Sequence, residues 1–107
     1  MLPKKKRVKK AVFHDLMKEG KTFSTELFLF YSIKNESPQY AFVSPKNIFK
    51  SAVNRNKYRR IGYNILRFLP LKSGSGIFVF KKKAITATQP EIKDNIFFIL
   101  KKTGFLQ

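Results

Sequence analysis

The chain has 107 residues, enough for one domain, and sets 23 Lys and Arg against 6 Asp and Glu, for a formal net charge of +17. No compact fold neutralises that imbalance from within, so a polyanionic partner is expected, either nucleic acid or an anionic membrane surface. The absence of Cys excludes disulfides and thiolate metal sites, and His14, the only His, leaves no basis for a His-based zinc site or a Ser–His triad.

A disordered basic tail is excluded as well. Hydrophobic residues make up 43% and aromatics 15%, with twelve Phe, enough for a packed core in a small domain. No apolar run approaches the roughly 18–20 residues of a membrane span. The longest, residues 27–31, is strand-sized. No apolar segment follows the basic start, so no secretory signal is expected and the protein reads as soluble and intracellular.

Residues 1–10 form a basic N-terminal arm. Its Pro3-Lys4-Lys5-Lys6-Arg7-Val8 has the form of a nuclear localisation signal, but such runs are ordinary in RNA binders. Residues 11–19 predict a short helix: Val12, Phe13, Leu16 and Met17 make one apolar stripe, and Gly20 suits its end. Core packing is the ordinary role of such a stripe.

Residues 21–24 predict a short strand and 27–33 a longer one. Leu27, Leu29, Tyr31 and Ile33 share one face and Phe28 and Phe30 the other, the pattern of a central strand covered on both sides. Residues 35–38 predict a turn and 39–43 a further strand. After the Ser44-Pro45 break, a long basic helix is predicted over 47–67. Tyr58, Ile61, Ile65 and Leu69 form its apolar stripe. Gly62 costs it about 1 kcal/mol relative to Ala, which favours fraying or a bend there.

Residues 70–76 predict a loop, 77–82 a strand and 84–87 a link. The last helix has the clearest signal. Thr88 and Glu91 have capping-box spacing, Pro90 fits the first turn, Ile92, Ile96, Ile99 and Leu100 form the buried stripe, and Gly104 follows the end. The order is α-β-β-β-α-β-α, a single α+β domain over residues 1–107.

Metal-dependent hydrolysis by a polypeptide needs converging carboxylates. The six acids are Asp15, Glu19, Glu26, Glu36, Glu91 and Asp94, and no pair of them has the spacing of a site. Gly74 and Gly76 lack the Lys of a phosphate-binding loop. The polypeptide therefore carries no predicted catalytic residue and no metal site.

The basic stretch over 46–60 points to phosphate binding. Arg55 and Arg59 are four apart and share a helix face. Their planar guanidinium forks match phosphate oxygens, and Asn56 beside them suits a phosphate, a sugar hydroxyl or a base edge. No acid lies between Glu36 and Glu91 to neutralise the run. Tyr31 offers a stacking surface to a single-stranded base, although a strand aromatic is ordinarily core. Rival readings are a ribosomal or other structural RNA binder, and a DNA-binding regulator with its basic helix in a major groove.

The segment Ser44-Pro-Lys-Asn-Ile-Phe-Lys-Ser-Ala-Val-Asn-Arg-Asn-Lys-Tyr-Arg-Arg60 resembles the basic motif of the protein component of bacterial ribonuclease P. Supporting similarity comes from Leu2-Pro3-Lys4-Lys5, from Arg7-Val8-Lys9-Lys10, from Phe13 seven residues before Gly20-Lys21, and from Tyr31 in the second strand. The resemblance implies a sandwich with a mixed four-stranded sheet and a left-handed β-α-β crossover, ribosomal protein S5 domain 2-like, an exception to the usual handedness. It also implies a division of labour. The RNA subunit would cleave the 5′ leader from precursor tRNA and hold most of the Mg2+. The protein would contact that catalytic RNA through Lys46, Lys50, Arg55, Asn56, Lys57, Arg59 and Arg60, and the leader through Phe13, Met17, Leu29 and Tyr31. A bacterial cytoplasmic location follows from the same resemblance. Three departures stand out. Met17 replaces an aromatic. Lys57 replaces an Arg and loses its fork. Ile61-Gly-Tyr-Asn64 replaces a stretch with a further Arg, whose phosphate contact Tyr63 cannot make.

Overall fold

A computed structural model describes Lys18 and residues 20–34, 39–71 and 74–106. The predicted basic arm, the 35–38 turn and, apart from Lys18, the predicted first helix with Phe13 and Met17 lie outside the described residues. The described elements are β1 (Lys21–Ser24), β2 (Phe28–Ile33), β3 (Gln39–Val43), α1 (Ala52–Leu66), β4 (Ser75–Phe80), a 3-10 turn (Lys82–Thr86) and α2 (Gln89–Thr103).

The strands form one mixed sheet in the order β1-β2-β4-β3. β1 and β2 make a hairpin, with Thr25 donating its N–H to Phe28 O at 2.9 Å and accepting from Phe28 N on its hydroxyl. β2 pairs antiparallel with β4, and β3 pairs parallel with β4 through the α1 crossover. A parallel pair needs a crossover of this kind because its strands run the same way.

Strand alternation places the Phe residues. Phe28, Phe30, Phe42, Phe78 and Phe80 share one sheet face and are all buried. Their rings pack directly: Phe42 stacks on Phe78 at 4.8 Å and 11°, Phe30 lies 4.5 Å from Phe78, and Phe28 lies 4.7 Å from Phe80. Ile92, Ile96, Ile99 and Leu100 of α2 and Leu66 of α1 complete this cluster. Both described helices therefore cover the Phe face. The sequence predicts β2 to be covered on both faces; Phe28 and Phe30 are fully buried on one, while Leu29, Tyr31 and Ile33 on the other are half-buried among the described residues.

Element boundaries differ from expectation in two places. The basic helix begins at Ala52 rather than Asn47, because residues 46–48 turn back with Ile48 N and Phe49 N both donating to Pro45 O, and Ser51 supplies the N-cap through its side chain. β4 begins at Ser75 and ends at Phe80, two residues earlier than expected at each end, because Ser75 and Gly76 already pair with Ile33 and Ser32. Gly76 permits this: Phe30 occupies the space a side chain would take, with its Cε1 2.4 Å from where a Cβ would stand. The link expected over 84–87 is largely the 3-10 turn.

The expected bend at Gly62 is absent. α1 runs unbroken through it, and Gly62 is buried against Phe42. α2 behaves as predicted. Thr88 and Glu91 form a reciprocal capping box, Pro90 lies in the first turn, and Gly104 ends the helix with φ of 82°.

Candidate RNA interface

The basic stretch is built around two anchored aromatic rings. Phe49 is buried, 4.7 Å from the Tyr58 ring and 5.8 Å from Phe80. Tyr58 donates its hydroxyl to Ile85 O at 2.9 Å. These contacts seat the start of α1 on the core, so Lys46 and Lys50, on either side of Phe49, stay exposed.

Along α1, the side facing the core carries Tyr58, Gly62, Ile65 and Leu66, at helical spacing. The opposite side carries Asn56, Lys57, Arg59, Arg60, Asn64 and Arg67, all exposed. Asn56 Oδ1 accepts from Arg59 Nη2, which orients both groups outward together. Three acids are described, Glu26, Glu91 and Asp94, and none is on α1. The one ion pair among the described residues, Lys83 with Glu26 at 3.2 Å, lies away from the helix and is solvent-exposed. Among the described residues, the exposed side of α1 is therefore a cationic surface with no acid of its own helix to neutralise it.

Arg55 takes a different position from Arg59 despite their shared face. It is half-buried, and its Nη1 donates to Phe49 O at 2.8 Å and Lys50 O at 3.1 Å. Its own carbonyl accepts from Ser44 Oγ at 3.2 Å. Arg55 thus ties the segment carrying Lys46 and Lys50 to the helix. Nothing in the sequence signals this clasp, because its acceptors are main-chain carbonyls that any residue provides.

Tyr63, in the departing stretch, turns to the sheet. Its hydroxyl accepts from Phe42 N at 3.2 Å, and its ring meets the Phe42 ring edge-on at 5.1 Å. β3 is an edge strand, so this bond satisfies a backbone donor that no neighbouring strand reaches.

Leu29 and Tyr31 lie on the sheet face away from α1 and α2. Tyr31 is half-buried, with Thr22 of β1 and Ile77 of β4 as its cross-strand neighbours. The structure keeps the two predicted sets apart, with the cationic residues on α1 and the stretch preceding it, and Leu29 and Tyr31 across the sheet.

Among the described residues, no three Asp, Glu, His or Cys side chains converge as metal ligands. No described helix is long and apolar enough to cross a membrane. Glu91 is held below the usual carboxylate range, first by the Thr88 backbone N–H and then by the Thr88 hydroxyl, which both donate to it; this is a helix cap.

A groove of about 930 Å3, marked by no motif in the sequence, lies between the second half of α1 and the first turns of α2. The exposed Phe68 stands on its rim. Lys57, Ile61, Asn64 and Phe68 follow one helical row in the sequence, but the wall supplied by α2 is set only by packing.

The family model for Ribonuclease P matches residues 2–104. No curated protein matches the sequence. Among solved structures, the chain is similar to an RNase P protein mutant of Staphylococcus aureus described as defective in mRNA degradation activity. The TM-score is 0.86 at 21% identity, over 94% of this chain and 90% of that one. It is similar to another Staphylococcus aureus RNase P protein structure, with TM-score 0.83, 20% identity, and 95% and 98% of the two chains covered. The RNase P protein of Thermotoga maritima matches with TM-score 0.79 and 23% identity, over 90% of this chain and 96% of that one. These likenesses establish a shared fold, and because the family match spans almost the whole sequence, the chain belongs to the Ribonuclease P family as a bacterial protein component.

Proposed function

We propose that this protein assists the catalytic RNA of ribonuclease P in removing the 5′ leader from precursor tRNA, binding the RNA subunit on one side and the leader on the other. The observation that carries this reading is the separation of two surfaces. The exposed side of α1 presents Asn56, Lys57, Arg59 and Arg60 with no acid on the helix, and the opposite sheet face presents Leu29 and Tyr31. A cationic surface gains affinity for folded RNA through counterion release. A half-exposed aromatic suits the unpaired bases of a single-stranded leader.

In this reading Lys46 and Lys50 extend the phosphate contact, and Arg55 holds the segment that carries them. Leader contact is assigned also to Phe13 and Met17, which lie outside the described residues. Hydrolysis belongs to the RNA, and so does most of the Mg2+, held by RNA phosphates. The protein works in the bacterial cytoplasm, where precursor tRNA is made.

Binding selectivity tests the proposal. At physiological salt the protein should bind a bacterial ribonuclease P RNA more tightly than a ribosomal RNA fragment of equal length. Preference for the ribosomal fragment would favour a structural role in the ribosome instead.

A further inference from the structure

The groove between α1 and α2 combines features that a merely solvated surface has no reason to hold together. Its floor is apolar, from Ile61, Ile65 and Leu69 on one side and Pro90 on the other. Its rim is cationic: Lys57 and Arg60 enter from α1 and Lys93 from α2, against the single acid Asp94. Phe68, at its mouth, is 80% exposed, the most exposed of the large hydrophobic residues described. The guanidinium of Arg67 lies 5.4 Å from the centre of the Phe68 ring.

An exposed aromatic beside an apolar slot is unfavourable in water and favourable under a flat apolar partner. The rim charge selects among such partners, because three cations against one carboxylate favour an anionic ligand. A nucleotide has both parts, a planar base for the Phe68 ring and the slot, and a phosphate for Lys57, Arg60 and Lys93. The side-chain amide of Asn64, which also lines the groove, has both donor and acceptor for a base edge.

We propose that this groove binds an unpaired nucleotide of an RNA partner, with the base stacked on Phe68 and the flanking phosphate held by Lys57, Arg60 and Lys93. The inference rests on the RNA-binding reading of α1 and deepens it. It gives the departing stretch over 61–64 a role in RNA contact through Ile61 and Asn64 while Tyr63 serves the sheet. It also adds a second base-binding surface on the side of the sheet opposite Tyr31.

The test uses the full chain and a short single-stranded RNA carrying 4-thiouridine, with binding read by fluorescence anisotropy and contact read by photo-cross-linking and peptide mapping. Cross-links should map to the tryptic peptide that begins at Phe68, alongside any at the sheet. Phe68→Ala should lose that cross-link and weaken binding by about tenfold, the scale of one lost stack. Phe68→Trp should restore both, and unchanged thermal melting of the variants separates the loss from misfolding. Wild-type binding by Phe68→Ala, with cross-links confined to other peptides, would overturn the groove and leave the RNA-binding reading standing. Failure of the wild-type chain to bind RNA at all would overturn both.

Discussion

Gly62 of α1 lies so close to Phe42 of β3 that a Cβ at this position would stand 2.5 Å from the ring's Cε1. The Phe42 ring has no room to yield, with Phe78 stacked on one face at 4.8 Å and the Tyr63 ring edge-on at 5.1 Å. Gly62→Ala therefore sets a helix-propensity gain of about 1 kcal/mol against overpacking of about 1–3 kcal/mol or more in the core. Overpacking should win. Urea unfolding should show a lower midpoint for Gly62→Ala, and a higher midpoint would mean that α1 does not rest on β3 this closely.

The Tyr63 hydroxyl supports the sheet edge by accepting from Phe42 N. Tyr63→Phe should cost about 0.5–1.5 kcal/mol in chemical denaturation. It should leave RNA affinity unchanged, because the hydroxyl faces a backbone amide. A loss of RNA affinity without a loss of stability would place Tyr63 in the interface.

Arg55 and Arg59 should separate by experiment. Arg59, exposed on the cationic side, is expected to neutralise a phosphate, so Arg59→Ala should lower the slope of log affinity against log salt by about one. Arg55→Ala should lower it by less, because the Arg55 guanidinium is engaged by main-chain carbonyls. Only Arg55→Ala should also lower stability, by about 1–3 kcal/mol, because it strips the Phe49 and Lys50 carbonyls of a charged donor. Equal melting of the two variants would contradict the clasp, and an unchanged slope in both would remove α1 from the phosphate contact.

The cap at Thr88 makes stability depend on pH. Glu91 has a lowered pKa in the folded state, chiefly from the Thr88 backbone N–H. A depressed folded pKa stabilises the fold above the unfolded carboxyl value, and that contribution is lost as pH falls through the folded one. Glu91→Gln, which cannot titrate, should differ from the wild type at neutral pH and converge with it in acid. Thermal midpoints across the acid range would check this, and a difference that persists unchanged in acid would contradict it.

The parts of this fold that follow from local chemistry were legible in the sequence. Thr88, Pro90, Glu91 and Gly104 mark the ends of α2 through side chains that act within one turn. Alternation places Phe28 and Phe30 together on one face of β2, although the apolar Leu29, Tyr31 and Ile33 made the other face read as equally covered. Contacts made across the fold were not legible. Gly62 reads as a weak point in a helix until Phe42 is placed beneath it, and Ser75 and Gly76 read as loop until β2 pairs with them. The same holds for the candidate interface. Charge and spacing marked Lys57, Arg59 and Arg60, whereas the clasp role of Arg55 and the groove beside Phe68 depend on tertiary neighbours.

The proposed leader surface has its own comparison. Tyr31→Ala should weaken binding of precursor tRNA by about five- to tenfold or more, the loss of one base stack. Binding of mature tRNA, which lacks the leader, should not change. Equal loss for both RNAs would point to damage to the sheet.

Reconstitution tests the central claim most directly. The purified protein alone should leave precursor tRNA intact, yet restore 5′-leader cleavage by a bacterial ribonuclease P RNA at magnesium concentrations too low for that RNA by itself. Failure to restore cleavage with several such RNAs, or cleavage by the protein without any of them, would contradict the account.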